Sequence, residues 1–172
     1  MGLLRRSGDQ VLLLLLSVVG AGIAIYLTTV HYAHVPLVCS TTGFIDCARV
    51  VSSPYSLVPG TTIPITVPGL AWCVVSAALA IAGLRLLPEH YWVRVAEFIW
   101  FLLGIFTALY LVYVELVLLH SLCAWCTALH VIILIMFLVA LVRLPRPESE
   151  AELEFAEEEA PRATKTTRNA RT

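Results

Sequence analysis

Four long apolar runs constrain the fold more than any other feature of this chain. They cover about residues 11–32, 67–87, 93–119 and 123–142, and each reaches the roughly 20 residues that a membrane-spanning helix needs. Only 13% of the 172 residues are charged and 59% are hydrophobic, whereas about a quarter of a soluble domain is charged. The sequence therefore predicts an all-α membrane protein, a four-transmembrane-helix bundle.

Three polar segments flank or connect these runs. Residues 1–10 form a short N-terminus, and residues 33–66 form a proline-rich loop, which is long enough to suggest a function of its own. The segment 143–172 is acidic and then basic with few apolar residues, a composition that predicts a disordered tail. No basic patch points to nucleic acid.

Arginines beside the runs predict the orientation, because cytoplasmic ends of spanning helices carry an excess of Lys and Arg. These residues are Arg5, Arg6, Arg85, Arg94, Arg143 and Arg146. Both termini are therefore expected in the cytoplasm, with the loop 33–66 and the turn before residue 123 on the outer side. The first run is too long for a cleaved signal peptide and is expected to be a retained anchor.

Cysteines are the candidate chemical groups, and the predicted topology brings four of the five to the outer side, where disulfides persist. The five are Cys39 and Cys47 in the loop, Cys73 in the second run, and Cys123 and Cys126 at the start of the fourth. The loop pair has two interpretations: a structural disulfide, or a relay that exchanges with Cys123. Cys73 has no partner in register and is expected to pack as a small apolar residue.

The Cys123-Ala124-Trp125-Cys126 sequence is a CxxC motif, which forms a reactive disulfide or binds a soft metal. Ser121 is expected to cap the helix, which puts Cys123 in the first turn, where free N–H groups stabilise a thiolate. Cys126 then lies about 4.5 Å deeper. This predicts Cys123 as the sulfur that exchanges with other thiols and Cys126 as the one that faces an oxidant within the bundle.

Other residues in the apolar runs have simpler interpretations. Glu97 and Glu115 lie toward the ends of the third run and are expected to snorkel or to cap, with a proton relay as the alternative. Gly20 and Gly22 in the first run are expected to be close-packing positions.

These features together resemble the vitamin K epoxide reductase family, over roughly residues 10–142. The resemblance rests on four spans, the outer loop with Cys39 and Cys47, the Arg49-Val50-Val51-Ser52-Ser53 segment and the CxxC that opens the fourth span. The chain is most similar to the bacterial members that act in disulfide bond formation. A bacterial inner-membrane location is the corresponding expectation.

The resemblance implies a bundle around a quinone of the menaquinone or ubiquinone type. It implies that Cys39 and Cys47 carry electrons from a partner thiol, that Cys123 exchanges with a loop cysteine, and that Cys126 faces the quinone. Ser53, six residues after Cys47, would help to order the loop. The partner implied is a thioredoxin-like protein on a separate chain.

His130 occupies the position four residues past the CxxC where some animal members carry tyrosine. We take it as a candidate quinone contact. Its identity argues against vitamin K epoxide as the substrate, although a quinone or epoxide reductase without a role in disulfide formation is an alternative.

A metal-binding or structural membrane protein is the competing interpretation. His120, Cys123, Cys126 and His130 share one helical face, and two cysteines with two histidines suit zinc. One straight helix, however, spreads these four residues over about 15 Å, too far for a single ion. A transporter is disfavoured because the runs lack a matched pair of broken helices.

Overall fold

The computed structural model describes residues 2–33, 35–39, 43–86 and 91–144, and the side chains of 8–33, 35–39, 43–85 and 92–144. Four long helices make up most of this part of the chain. They are α1 (Gly2–Ala33), α3 (Thr66–Ile81), α4 (Tyr91–Tyr113) and α5 (Ala124–Arg143), with a short helix α2 (Cys47–Val51) between the first two. From residue 145 onward the predicted disordered tail lies outside the described residues.

The four long helices, with the π-helical turns that continue α3 and α4, provide four stretches that are long and apolar enough to span a membrane. These stretches are Gly8–Ala33, Thr66–Arg85, Trp92–Leu118 and Ala124–Arg143. The predicted all-α membrane bundle is thus confirmed. We set residues 1–10 apart as an N-terminal segment, but from Gly2 onward they belong to α1. Gln10, within this segment, is buried.

The bundle packs chiefly as two helix pairs, α1 against α3 and α4 against α5. Its main core contains Leu13, Phe101 and Met136, all with 0% exposure. A Cβ on Gly20 would lie 3.1 Å from Cys73 Sγ, so Gly20 is a close-packing position and Cys73 packs as expected. The same expectation is wrong for Gly22, which has no atom within 4 Å of such a Cβ.

Two helices end in π-helical turns, α3 in Ala82–Leu86 and α4 in Val114–Leu118. Such turns place one more residue in the turn than an α-helix does and occur often at functional sites. In α4 the turn is followed directly by the connection to α5, where His120 adopts a positive φ of 50°.

Glu97 and Glu115 are buried, with 1% and 3% exposure, so the prediction that they snorkel is wrong. Each carboxylate instead finds partners inside the protein. Glu97 accepts hydrogen bonds from Gln10 Nε2 at 2.9 Å and from Arg143 Nη1 at 3.1 Å, an arrangement that joins α1, α4 and α5. Glu115 lies at the other end of α4, beside the cysteines.

Candidate active site

The loop before α2 docks directly onto the start of α5. Asp46 N donates to Leu122 O at 3.0 Å, and Leu122 N donates to Phe44 O at 2.7 Å, which forms a short parallel bridge between Ile45 and Leu122. Asp46 then caps α2 by accepting from Arg49 N at 3.0 Å. Because Ile45 lies two residues before Cys47 and Leu122 one residue before Cys123, this bridge brings Cys47 beside Cys123.

The loop cysteines Cys39 and Cys47 form a disulfide, with their Cα atoms 6.2 Å apart. Cys123 and Cys126 are thiols. Cys47 and Cys123 are both fully buried and share one apolar cluster, against which Cys39 and Cys126 also pack. The two cysteine pairs that the sequence singled out are therefore neighbours in one compact site.

Cys123 itself is the N-cap of α5, which corrects the prediction that Ser121 would fill this position. Its Sγ accepts a hydrogen bond from Cys126 N at 3.3 Å. Ser121, two residues earlier, is buried and donates its backbone N–H to Glu115 O at 3.0 Å. The effect that we expected from the helix start remains, because the cap position still directs free N–H groups at the Cys123 sulfur.

The pKa of the Cys123 thiol is held below its usual range. The largest cause is a hydrogen bond from the Cys126 side chain, and the backbone N–H groups at the helix start add to it. Burial and the nearby Glu115 oppose this shift. The net result favours the thiolate form of Cys123, which is the nucleophilic form.

Glu115 belongs to the same site, and we missed this in the sequence. Its Oε2 accepts from Cys123 N at 3.3 Å, and Glu115 and Cys126 line the same small cavity. The signal available in the sequence was a carboxylate eight residues before the CxxC within an apolar run. The position of Glu115 near the end of the third apolar run made it resemble a residue at the membrane interface.

Trp125, the second residue between the two CxxC cysteines, holds the loop segment that leads to Cys39. Its Nε1 donates to Val38 O at 3.0 Å, while Val38 N donates to Tyr26 Oη at 3.1 Å. The rings of Tyr26 and Trp125 lie 5.0 Å apart. Val38 is thus fixed by both α1 and α5, which sets the position of the adjacent cysteine.

An apolar cavity of about 370 Å³ opens between α1, α3, α4 and α5. Trp72 and Trp100 form part of its wall with nearly parallel rings 6.4 Å apart. Cys126 and His130 line this cavity and also a narrower one of about 60 Å³, which Glu115 and Ser53 line as well. Cys126 and His130 therefore stand where the two cavities meet.

Ser53 is buried and donates its hydroxyl to Val50 O at 2.8 Å. Its own carbonyl accepts both the backbone N–H and the hydroxyl of Ser56, at 3.0 and 2.7 Å. These bonds join α2 to the following 3₁₀ turn (Pro54–Ser56). Ser53 thus lies beside the site, but none of these hydrogen bonds joins it to a cysteine sulfur.

The four residues of the zinc hypothesis are not brought together. His120 is exposed in the turn before α5, whereas His130 lies at the cavity inside the bundle. Within the described ranges, no group of three or more His, Cys, Asp or Glu side chains is arranged to hold a metal ion.

The fold and the site together define a multi-pass membrane protein with a disulfide beside a CxxC dithiol. The sequence model of the vitamin K epoxide reductase family matches residues 11–141. The chain belongs to the vitamin K epoxide reductase family, whose members are membrane oxidoreductases of thiol–disulfide and quinone chemistry. None of the curated proteins matches the chain.

Proposed function

We propose that this protein oxidises the dithiol of a separate thioredoxin-like protein and reduces a membrane quinone, in support of disulfide bond formation. The observation that carries the proposal is the shared cluster of Cys47 and Cys123, next to a cavity that Cys126 lines. This arrangement supplies a continuous path for electrons from the loop surface to the interior of the bundle.

The path begins at Cys39, because this sulfur is only half-buried while Cys47 is fully buried. A partner thiolate that attacks Cys39 releases Cys47 as the leaving thiolate, and a second partner thiol completes the exchange. The partner becomes a disulfide and the loop pair becomes a dithiol. Cys47 is then the sulfur placed to attack Cys123.

The second exchange transfers the same two electrons to the CxxC pair. Attack of Cys47 on Cys123 opens a Cys123–Cys126 disulfide, and closure of the Cys39–Cys47 bond leaves the CxxC pair as two thiols. The structure corresponds to the product of this step, with the loop pair oxidised and the CxxC pair reduced. It is the state that is ready to reduce a quinone.

The larger cavity fits a quinone in size and chemistry. Its volume is within the range of small-molecule sites, about 300 to 1,000 Å³, and its wall is largely apolar and aromatic, with Cys126 and His130 at the end that it shares with the narrower cavity. Trp72 and Trp100 would hold the ring or the first part of the apolar tail, and His130 would contact a ring oxygen. A bound quinone supplies the acceptor for two electrons and two protons.

We further propose that the cysteine end of the bundle faces the outer side of a bacterial inner membrane, with both termini in the cytoplasm. The flanking arginines support this orientation. Labelling of Cys39 in reduced, intact cells by a membrane-impermeant maleimide tests it. Labelling only after the cytoplasmic side is made accessible would contradict it.

Quinone reduction by purified variants tests the electron path. With a small dithiol as donor, we expect Cys126→Ala to lose turnover, whereas Cys39→Ala keeps part of it and loses turnover only with a thioredoxin-like donor. Cys73→Ala is the matched control, because Cys73 is a buried thiol that lines the larger cavity but lies outside the proposed electron path. Turnover of Cys126→Ala at the wild-type rate would refute the mechanism.

A further inference from the structure

The Glu115 carboxyl group is the feature of the site for which the electron path has no role. It is 3% exposed and lies inside a bundle helix; its Oε2 accepts a hydrogen bond from Cys123 N, and it lines the narrow cavity together with Cys126. Within the described part of the chain, the ion pair observed is that of Glu97 with Arg143, and no cation pairs with Glu115. A buried carboxyl group without a cation is costly, so its presence calls for a reason.

The chemistry of the neighbouring sulfur supplies one. When a thiolate attacks Cys123 and opens the Cys123–Cys126 disulfide, the leaving group is the Cys126 sulfur. A thiolate in an apolar surrounding is poorly solvated, and Cys126 lies at the wall of an apolar cavity. A proton donor within reach of Cys126 therefore lowers the barrier to its departure.

The local backbone directs Glu115 at this sulfur. The π-helical turn Val114–Leu118 contains it, and its backbone carbonyl is fixed by Ser121 N at 3.0 Å. One carboxylate oxygen is held by Cys123 N, the N–H at the cap of α5. The carboxyl group is thus oriented from both sides, and it faces the narrow cavity that Cys126 also lines.

We propose that Glu115 is the catalytic proton donor and acceptor for Cys126 when the CxxC disulfide opens and closes. This inference rests on the proposed function, because it requires the CxxC pair to cycle between disulfide and dithiol. On opening, the attacking thiolate forms a bond to Cys123, the Cys123–Cys126 bond breaks, and the Glu115 carboxylic acid gives its proton to the Cys126 sulfur. On closing, the Glu115 carboxylate takes that proton back as Cys126 attacks.

The test is reduction of the Cys123–Cys126 disulfide by dithiothreitol in quinone-free, full-length protein. We expect Glu115→Gln to slow reduction about a hundredfold, in the range of general acid–base catalysis. Wild-type protein should show a bell-shaped pH profile, because the donor must be a thiolate while Glu115 must carry its proton. The fall at high pH should disappear in Glu115→Gln. His31, Tyr55 and His130 also line the narrow cavity, and His31→Gln should keep the bell-shaped profile.

Two carboxyl variants separate proton transfer from a structural role. Gln can still accept from Cys123 N, whereas Asp keeps the acid but is one methylene shorter. Proton transfer predicts that Glu115→Asp is faster than Glu115→Gln, and a purely structural role predicts the reverse order. Should Glu115→Gln fail to fold, the pH profile of Glu115→Asp decides. Proton transfer predicts that this profile stays bell-shaped, and loss of the bell shape would overturn the assignment.

Glu97→Gln is the matched control, since Glu97 is the other buried glutamate of α4 and touches no cysteine. It should reduce at the wild-type rate with the wild-type pH profile. Wild-type behaviour of Glu115→Gln would overturn the role of Glu115 and leave the electron path intact. Failure of quinone to generate the Cys123–Cys126 disulfide in wild-type protein would instead overturn the proposed function, and this inference with it.

Discussion

The two ends of α4 contain the same residue type in opposite settings. Glu97 and Glu115 are 18 residues apart, five helical turns or about 27 Å, and both are buried. Glu97 has an arginine and an amide as partners, whereas Glu115 accepts from a backbone N–H and lines a cavity beside the Cys126 thiol. The first setting neutralises the charge and ties three helices together. The second leaves a carboxyl group that can exchange a proton with a reacting sulfur.

This contrast shows that burial alone does not identify a functional carboxylate. In a sequence of apolar runs, both glutamates stand out equally. Only the partners distinguish a charge that is compensated for stability from one that is placed for chemistry. Variants at each end should therefore affect different measured quantities.

The largest effect on stability is expected from Glu97→Ala. It leaves the Arg143 guanidinium, 11% exposed, without its partner, and loss of one member of a buried pair costs about 3 to 5 kcal/mol. Unfolding in a denaturing detergent measures this. The double variant Glu97→Met with Arg143→Met should recover most of the loss, because an apolar replacement of both members is often neutral. A cost for Glu97→Ala below about 1 kcal/mol would contradict a stabilising pair.

The next effect concerns the pH dependence of Cys123. Its lowered pKa means that the thiolate persists at pH values below the ordinary range of a thiol, and the largest cause is the Cys126 side chain. We expect Cys126→Ala to raise this pKa, so that alkylation of Cys123 by iodoacetamide begins at higher pH and slows at neutral pH.

Cys126→Ser is the control for that measurement, because a hydroxyl group still donates a hydrogen bond to the Cys123 sulfur. Its alkylation curve should stay closer to that of the wild type, followed by peptide mass spectrometry of Cys123. Equal curves for Cys126→Ala and Cys126→Ser would show that the side chain of residue 126 does not set the reactivity of Cys123.

The smallest effect is expected from Trp125→Phe. This change keeps a ring near Tyr26 but removes the bond from Nε1 to Val38 O, which is worth about 1 kcal/mol. The backbone amides of Leu37, Val38 and Cys39 should exchange hydrogen roughly fivefold faster, the factor that corresponds to this energy. Trp92→Phe, at the other end of the bundle, should leave this exchange unchanged. An identical result for both variants would exclude Trp125 as the anchor of the loop.

The sequence predicted the parts of this protein that depend on composition and spacing. Four apolar runs of spanning length gave the four helices, and Pro68 lies in the first turn of α3, where a missing N–H costs nothing. The CxxC at the start of the fourth run was likewise visible. These features are local, and hydropathy or helix geometry determines them.

The parts that failed depend on contacts between distant segments. The capping role lies at Cys123 and not at Ser121, because the bridge between Ile45 and Leu122 precedes the helix directly and Cys123 still has an extended backbone. The pairing of Cys39 with Cys47 was left open, since spacing alone does not fix a disulfide. The setting of Glu115 depends on a π-helical turn, which no pattern in the apolar run indicated.

The most direct test of the account is a single turnover that starts from the state described, with the Cys39–Cys47 disulfide formed and the CxxC pair reduced. One equivalent of quinone is added without a thiol donor, and quinol and the disulfides are then quantified. We predict one equivalent of quinol, a new Cys123–Cys126 disulfide and an unchanged loop disulfide. Quinol formed while Cys123 and Cys126 remain thiols would contradict the proposal that electrons reach the quinone through this pair.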